Sequence, residues 1–313
     1  MASSTAALST THRTPFWRKR SFRSGVTGWL FAAPILIYFT VFVFGPIIAS
    51  LVMMFYDWNG FGPLSQAKFV GLANMQEVMR DEKFLGSFRN TFMYAVIVVG
   101  SGVVFGLLLA LVLNGVTKFV GFVRSTYYLP VMLPMTAMSL LWGLMYQPRY
   151  GFLNQVLALV NIPPVRWLIN PDTALLSICL MVVWKGLGWY MVIFLAGLKS
   201  IPEEFYEAAK VDGATAWQRF WGITLPLLKP TLLFVFVVTV IGSLQVFTPI
   251  YIMTQGGPAN ATSVVVYWVY LTAFQFLRLG YASTQVGLLF LVILVITLIQ
   301  LRLFRDGGIR SYY

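Results

Sequence analysis

The sequence predicts an all-α polytopic membrane protein with six transmembrane helices and both termini in the cytoplasm. Three observations carry that expectation. Of its 313 residues, 58% are hydrophobic and only 10% are charged, where a soluble domain carries about a quarter charged residues. Six apolar segments each supply the roughly 20 helical residues that cross a hydrocarbon core about 30 Å thick. Lysine and arginine are also divided unevenly between the segments that join them. In lipid an open backbone leaves N–H and C=O groups unsatisfied, so each span is expected as a helix.

A basic tail, residues 1–27, comes first, with Arg13, Arg18, Lys19, Arg20 and Arg23 after a Ser/Thr-rich start. The next apolar run, about 29 residues, exceeds the 7–15 of a signal-peptide core and has no clear small-x-small cleavage site. It reads as a retained first span, 28–56. The other spans are expected at 91–113, 127–146, 175–198, 231–253 and 284–304, closing a transmembrane domain over 28–305 and leaving 306–313 as a short tail. Fourteen Lys and Arg fall in the N-terminal tail, in the loops at 114–126 and 199–230 and at the C-terminal end (Arg302, Arg305 and Arg310), against seven in the segments 57–90, 147–174 and 254–283. The richer side is the cytoplasmic one. The three external segments are broken by Gly and Pro, as at Gly60, Gly62, Pro63, Pro163, Pro164, Gly256, Gly257 and Pro258, and should not span. In the second span Gly102-x-x-x-Gly106 has the spacing of a close helix contact, a weak signal in a Gly-rich chain.

Several function classes fall away. One cysteine, Cys179, excludes an intrachain disulfide and a thiolate metal cluster. One histidine, His12 in the tail, leaves no imidazole for a metal site or a His-based triad in the body of the chain. No metal site and no catalytic residue is therefore expected. The net charge of +12 reads as topology signal facing anionic lipid and not as a nucleic-acid surface, because the basic residues lie between apolar segments.

The loop at 199–230 carries the most specific pattern. It reads Glu207-Ala208-Ala209, then Asp212-Gly213, then Ile223-Thr224-Leu225-Pro226. Ser200 and Glu203 have capping-box spacing, Pro202 suits a first turn, and Gly213 supplies a left-handed stop. A second short helix is expected at 215–221, with Pro226 and Pro230 marking re-entry into the membrane. Ala208 and Ala209 would offer a shallow face for another protein, and Glu207 one orienting charge.

That spacing resembles the cytoplasmic coupling loop of permease subunits in binding-protein-dependent ABC importers. The resemblance, to the carbohydrate-uptake or maltose-type family, covers roughly residues 28–305. It includes Phe69-Val70-Gly71-Leu72-Ala73-Asn74, Tyr128-Leu129-Pro130, Leu195-Ala196-Gly197-Leu198, and Thr254-Gln255-Gly256-Gly257-Pro258 with Thr262. The last stretch is more like the first of the two permeases than the second. The family implies a type I ABC importer permease fold in the plasma membrane of a prokaryote. It implies a second homologous permease, two cytoplasmic ATPase subunits and an external solute-binding protein as partners. The coupling residues would then be Glu207, Ala208, Ala209, Asp212, Gly213, Ile223, Leu225 and Pro226. ATP and Mg would sit on the ATPases and no cofactor on this chain, which has no Gly-Lys pair and hence no phosphate-cradling P-loop.

A polar solute needs polar and aromatic groups at mid-membrane depth. The fourth span carries Trp184, Lys185, Gly186, Gly188, Trp189 and Tyr190, and the fifth carries Thr239, Ser243, Gln245 and Thr248. Counted without gaps from the coupling loop, Trp184, Lys185, Gly186, Trp189, Thr239 and Ser243 fall at sugar-contact positions of the maltose-type permease, with different side chains at most of them. Lys185 stands apart because a charge at bilayer centre costs about 2.5–3.5 kcal/mol. It should meet a cavity, an anion or a partner.

The solute expected is a sugar or related polyol, with glycerol phosphate or a glycerophosphodiester as the alternative. An ion-coupled secondary carrier is the reading from another class. Proton coupling would want acids inside the spans, yet all ten acidic residues lie in loops or tail; that count leaves sodium coupling open. A membrane enzyme would want a nucleophile–base pair or metal ligands, which the spans lack.

Overall fold

The computed structural model describes residues 20–115 and 120–305. Most of the expected N-terminal tail with His12, the C-terminal tail and Lys118 lie outside these. Among the described residues five helices are long and apolar enough to cross a membrane, or six when a bent pair is counted as one span. The chain divides into two compact units, one ending at Val52 and the other starting at Met53.

The first unit holds a helix, Arg20–Phe39, that widens into a π turn at Thr40–Phe44, and all but the last residue of its continuation Gly45–Met53. Pro46 explains the wide turn. Proline has no N–H for the carbonyl four residues back, and its ring crowds that carbonyl. The amide of Gly45 reaches one residue further, to the Thr40 carbonyl, and the π turn absorbs the misfit.

The second unit holds the other five spans. The second span, Glu82–Asn114, starts well before the expected position 91. Asp81 caps it by accepting from the amides of Lys83 and Phe84 at 2.9 and 3.2 Å. Its polar first turns escaped the hydropathy reading because protein and not lipid surrounds them. Ser87 bonds Ser263, Asn90 donates to the carbonyls of Asn260 and Ser263, and Thr91 accepts from the Val265 amide.

The third span corrects an expectation. It is not one helix over 127–146 but two, Val120–Met132 and Met135–Met145, bent by 97°. Pro134 removes one backbone donor and steers Leu133 away from helical angles. The fifth span is also interrupted, against the expected unbroken 231–253. Lys229–Leu244 ends at Gln245, and Thr248–Met253 restarts after Phe247, whose φ/ψ is −140/−60. Pro249 lacks the N–H that would have continued the ladder to the Gln245 carbonyl. The fourth and sixth spans, Pro171–Lys199 and Leu279–Arg305, are unbroken.

Lipid solvates apolar side chains as well as a neighbouring helix does, so close approach holds such a bundle together more than apolar burial. Glycines provide that approach. Gly102 and Gly106 form the seat of Tyr190, where any Cβ would run into its ring or its own Cβ. Gly188 lies against the Tyr127 carbonyl, and Gly197 against Thr231 and Leu228. The small-residue spacing in the second span is thus a contact with the fourth.

On the expected external side the loops are tied by polar bonds. Tyr56–Asp57 pairs antiparallel with Lys68–Phe69, and Asn74 donates to the Met54 and Tyr56 carbonyls, both at 3.0 Å. Arg278 grips Glu77 with two bonds of 2.7 and 2.8 Å. The Gly-Gly-Pro stretch is a self-bonded turn: Thr254 and Thr262 hydroxyls meet at 2.8 Å, and Thr262 donates to the Gly257 carbonyl.

Candidate functional site

The loop after the fourth span forms a helix, Glu203–Val211, then Ala216–Arg219, a π turn Phe220–Thr224 and Leu225–Leu227, leading into the fifth span. Gly213 ends the first helix as expected, with φ +75. The amide of Ala214 bonds the Ala209 carbonyl, and that of Gly213 the Lys210 carbonyl, the pair of bonds that closes a helix with a left-handed residue. The expected capping box at Ser200 is not formed. The Ser200 hydroxyl turns back to the Gly197 carbonyl at 2.7 Å, and Pro202 occupies the cap position. A capping box does form at Thr215 and Gln218, at the start of the second helix. That helix also runs past the expected end at 221. A second π turn precedes Pro226, with the Leu225 amide bonding the Phe220 carbonyl, the same response to proline as at Pro46.

The motif divides into two sets of residues. Glu207, Ala208, Asp212 and Gly213 are exposed, with Ala209 half-buried beside them. Ile223 and Leu225 pack with Tyr206 against the core of Phe194, Leu198 and Leu228, and Pro226 is half-buried. The Tyr206 hydroxyl meets that of Thr224 at 3.0 Å, joining the first helix to the π turn. One set presents a face, with Val211 also 87% exposed, and the other fastens that face to the bundle. The helix is thereby packed onto the fourth and fifth spans.

A cleft of about 450 Å3 opens among the second to fifth spans. Lys185, Gly186, Trp189, Thr239, Ser243 and Thr248 line it, together with Tyr94, Tyr190 and Phe247. Two expected residues are elsewhere. Trp184 does not line the cleft and packs on Trp142 with ring centres 5.3 Å apart. Gln245 is exposed at the break in the fifth span and does not line the cleft. Tyr94 and Phe247 were not expected; Tyr94, Val98, Gly102 and Gly106 stand four apart, one helical stripe that could have revealed the wall.

Lys185 has a specific partner. Its ammonium donates to the Val131 carbonyl at 3.2 Å. In an unbroken helix that carbonyl would accept from residue 135, but the bend after Met132 frees it. A cation there also faces the negative end of the half-helix Val120–Met132. Lys185 therefore caps the broken third span while its remaining N–H groups stay available to the cleft. Among the described residues it forms no ion pair. Thr239 donates within its own helix, to the Val235 carbonyl at 2.6 Å.

Residues 102–307 match the family described as binding-protein-dependent transport system inner membrane component. A lactose transport system permease protein of Rhizobium radiobacter is 34% identical over 281 residues, covering 88% of this chain and 93% of that protein. An sn-glycerol-3-phosphate transport system permease protein of Agrobacterium fabrum is 34% identical over 284 residues, covering 90% and 95%. Among solved structures, a chain of a bacterial ABC transporter involved in import of the acidic polysaccharide alginate superimposes with TM-score 0.79 at 25% identity, covering 92% of this chain and 99% of that one.

Proposed function

The chain belongs to the family of binding-protein-dependent transport system inner membrane components, multi-pass permeases without catalytic chemistry of their own, and from that premise we propose that it forms half of the translocation path of an ATP-driven importer for a saccharide or related polyol. A second homologous permease supplies the other half. Two cytoplasmic ATPase subunits bind ATP and Mg, and an external binding protein delivers the solute. The Ala208 face of the coupling helix docks on one ATPase, with Glu207 orienting it. ATP binding and the loaded binding protein each favour an outward-open state, and the population shifts accordingly.

The cleft carries the solute reading. Flat aromatic walls at Trp189 and Tyr190 suit sugar rings, Gly186 admits bulk, and the hydroxyls of Thr239, Ser243 and Thr248 exchange hydrogen bonds with solute hydroxyls. A second reading, glycerol phosphate or a glycerophosphodiester, is favoured by Lys185, the one cation lining that cleft among the described residues.

Uptake by proteoliposomes of the assembled importer tests both. Labelled neutral oligosaccharides and glycerol phosphate would be offered with and without internal ATP. ATP-dependent accumulation of a neutral sugar supports the first reading, and accumulation of only the phosphate the second. Accumulation driven by an ion gradient without ATP would replace both with a secondary carrier.

A further inference from the structure

We propose that the groove between the third and fourth spans, at the coupling-loop end of the bundle, is a binding site for the phosphate headgroup of an anionic phospholipid. The groove measures about 230 Å3 and is lined by Arg124, Val192, Leu195, Ala196 and Lys199. Among the described residues its walls are apolar, its two polar groups are both cations, and no carboxylate lines it. Neither Arg124 nor Lys199 forms an ion pair among the described residues. Arg124 adds a second, independent sign: its Nε is buried from solvent yet has no hydrogen-bond partner among the described residues.

A buried guanidinium N–H without a partner costs more than an exposed one, since it has lost water without replacement. A phosphate ester resolves that cost. Its oxygens accept from the planar guanidinium fork and from the Lys199 ammonium together. The acyl chains then continue along Val192, Leu195 and Ala196, where a free phosphate would leave apolar surface uncovered. Basic pockets between spans on the cytoplasmic side take anionic headgroups for these same reasons. Both cations flank the fourth span, whose end at Lys199 leads within a few residues to the coupling helix at Glu203. Bound lipid would thus brace the root of that helix.

Native mass spectrometry of the assembled, delipidated importer tests the site. The complex would be titrated with phosphatidylglycerol or phosphatidylcholine, as wild type, as Arg124→Gln/Lys199→Gln, and as Lys210→Gln, a basic residue on the coupling helix outside the groove. The expected result is retained phosphatidylglycerol on wild type and Lys210→Gln, with about a 30-fold weaker apparent affinity in the double variant, from two basic contacts at a lipid surface. Phosphatidylcholine retention should be the same on all three. Equal phosphatidylglycerol retention by wild type and the double variant overturns the proposal, as does an equal loss in Lys210→Gln, which would mean general surface charge. Competition by millimolar inorganic phosphate would reassign the site to free phosphate. Failure of the double variant to assemble with its partner subunits would reassign the groove to a protein contact.

Discussion

Gly102→Ala should destabilise the bundle, and whether Tyr190 is present should decide by how much. A Cβ on Gly102 would lie 2.5 Å from the Tyr190 hydroxyl and 2.6 Å from its Cε2, with Cζ nearer still. All three belong to one rigid phenol group, so either that group or the helix must move. Overpacking of this kind costs about 1–3 kcal/mol, reduced by up to about 1 kcal/mol because alanine favours the helix over glycine. The net expectation is about 1–2 kcal/mol, a drop of a few degrees in the thermal midpoint of the assembled complex. Tyr190→Ala removes the ring and leaves a cavity, at a cost of about 3–5 kcal/mol. In that background Gly102→Ala should cost nothing more, a clear non-additivity. Gly106→Ala is the control. Its Cβ would meet the Tyr190 Cβ and lie 3.4 Å from the Tyr190 backbone carbon, atoms that alanine keeps, so its cost should survive the truncation. The assay is the thermal midpoint of detergent-solubilised complex for the six proteins these changes generate. Equal costs of Gly102→Ala with and without the Tyr190 ring would refute the packing.

Three further outcomes follow from other contacts. Lys185→Met should lower the thermal midpoint by about 1 kcal/mol equivalent, a charged hydrogen bond discounted for its open cleft, while Lys185→Arg keeps it; uptake measured on both separates capping from solute contact. Hydrogen bonds from Arg278 hold the Glu77 carboxyl below its ordinary 4.5. A depressed folded-state pKa stabilises above the ordinary value and is lost as pH falls through the depressed one. Wild type should therefore lose midpoint below about pH 5 relative to Glu77→Gln, by no more than about 1 kcal/mol because both side chains are nearly half exposed. Thr215→Ala should remove the capping box, cost about 1 kcal/mol locally, and weaken stimulation of ATP hydrolysis without dissolving the complex.

The spans were legible because a bilayer demands long apolar runs, and the loop because Glu207 to Pro226 joins helix-stop and re-entry chemistry at fixed spacing. The breaks were not. A hydropathy run does not register that Pro134 and Pro249 each remove a donor, and Lys185 gains meaning only once Val131 is known to be free. Ser200 was misread because its spacing to Glu203 suits a cap, while the local carbonyl of Gly197 competes for the same hydroxyl. Ile223 and Leu225 stand among the coupling residues in sequence, and only the fold shows that they pack against the core. Polar outer turns of the second span, Ser87 and Asn90, were assigned to a loop because their partners lie some 170 residues further along the chain.

ATP hydrolysis by the assembled importer, with and without loaded binding protein, tests the central claim most directly. Wild type would be compared with Glu207→Ala and with Gly213→Pro, which removes the left-handed residue at φ +75. Stimulation by the loaded binding protein in wild type, lost in both variants while all subunits remain assembled, is the expected result. Equal stimulation in all three would mean that the 203–211 helix is only an interfacial turn and carries no force between ATPase and pore.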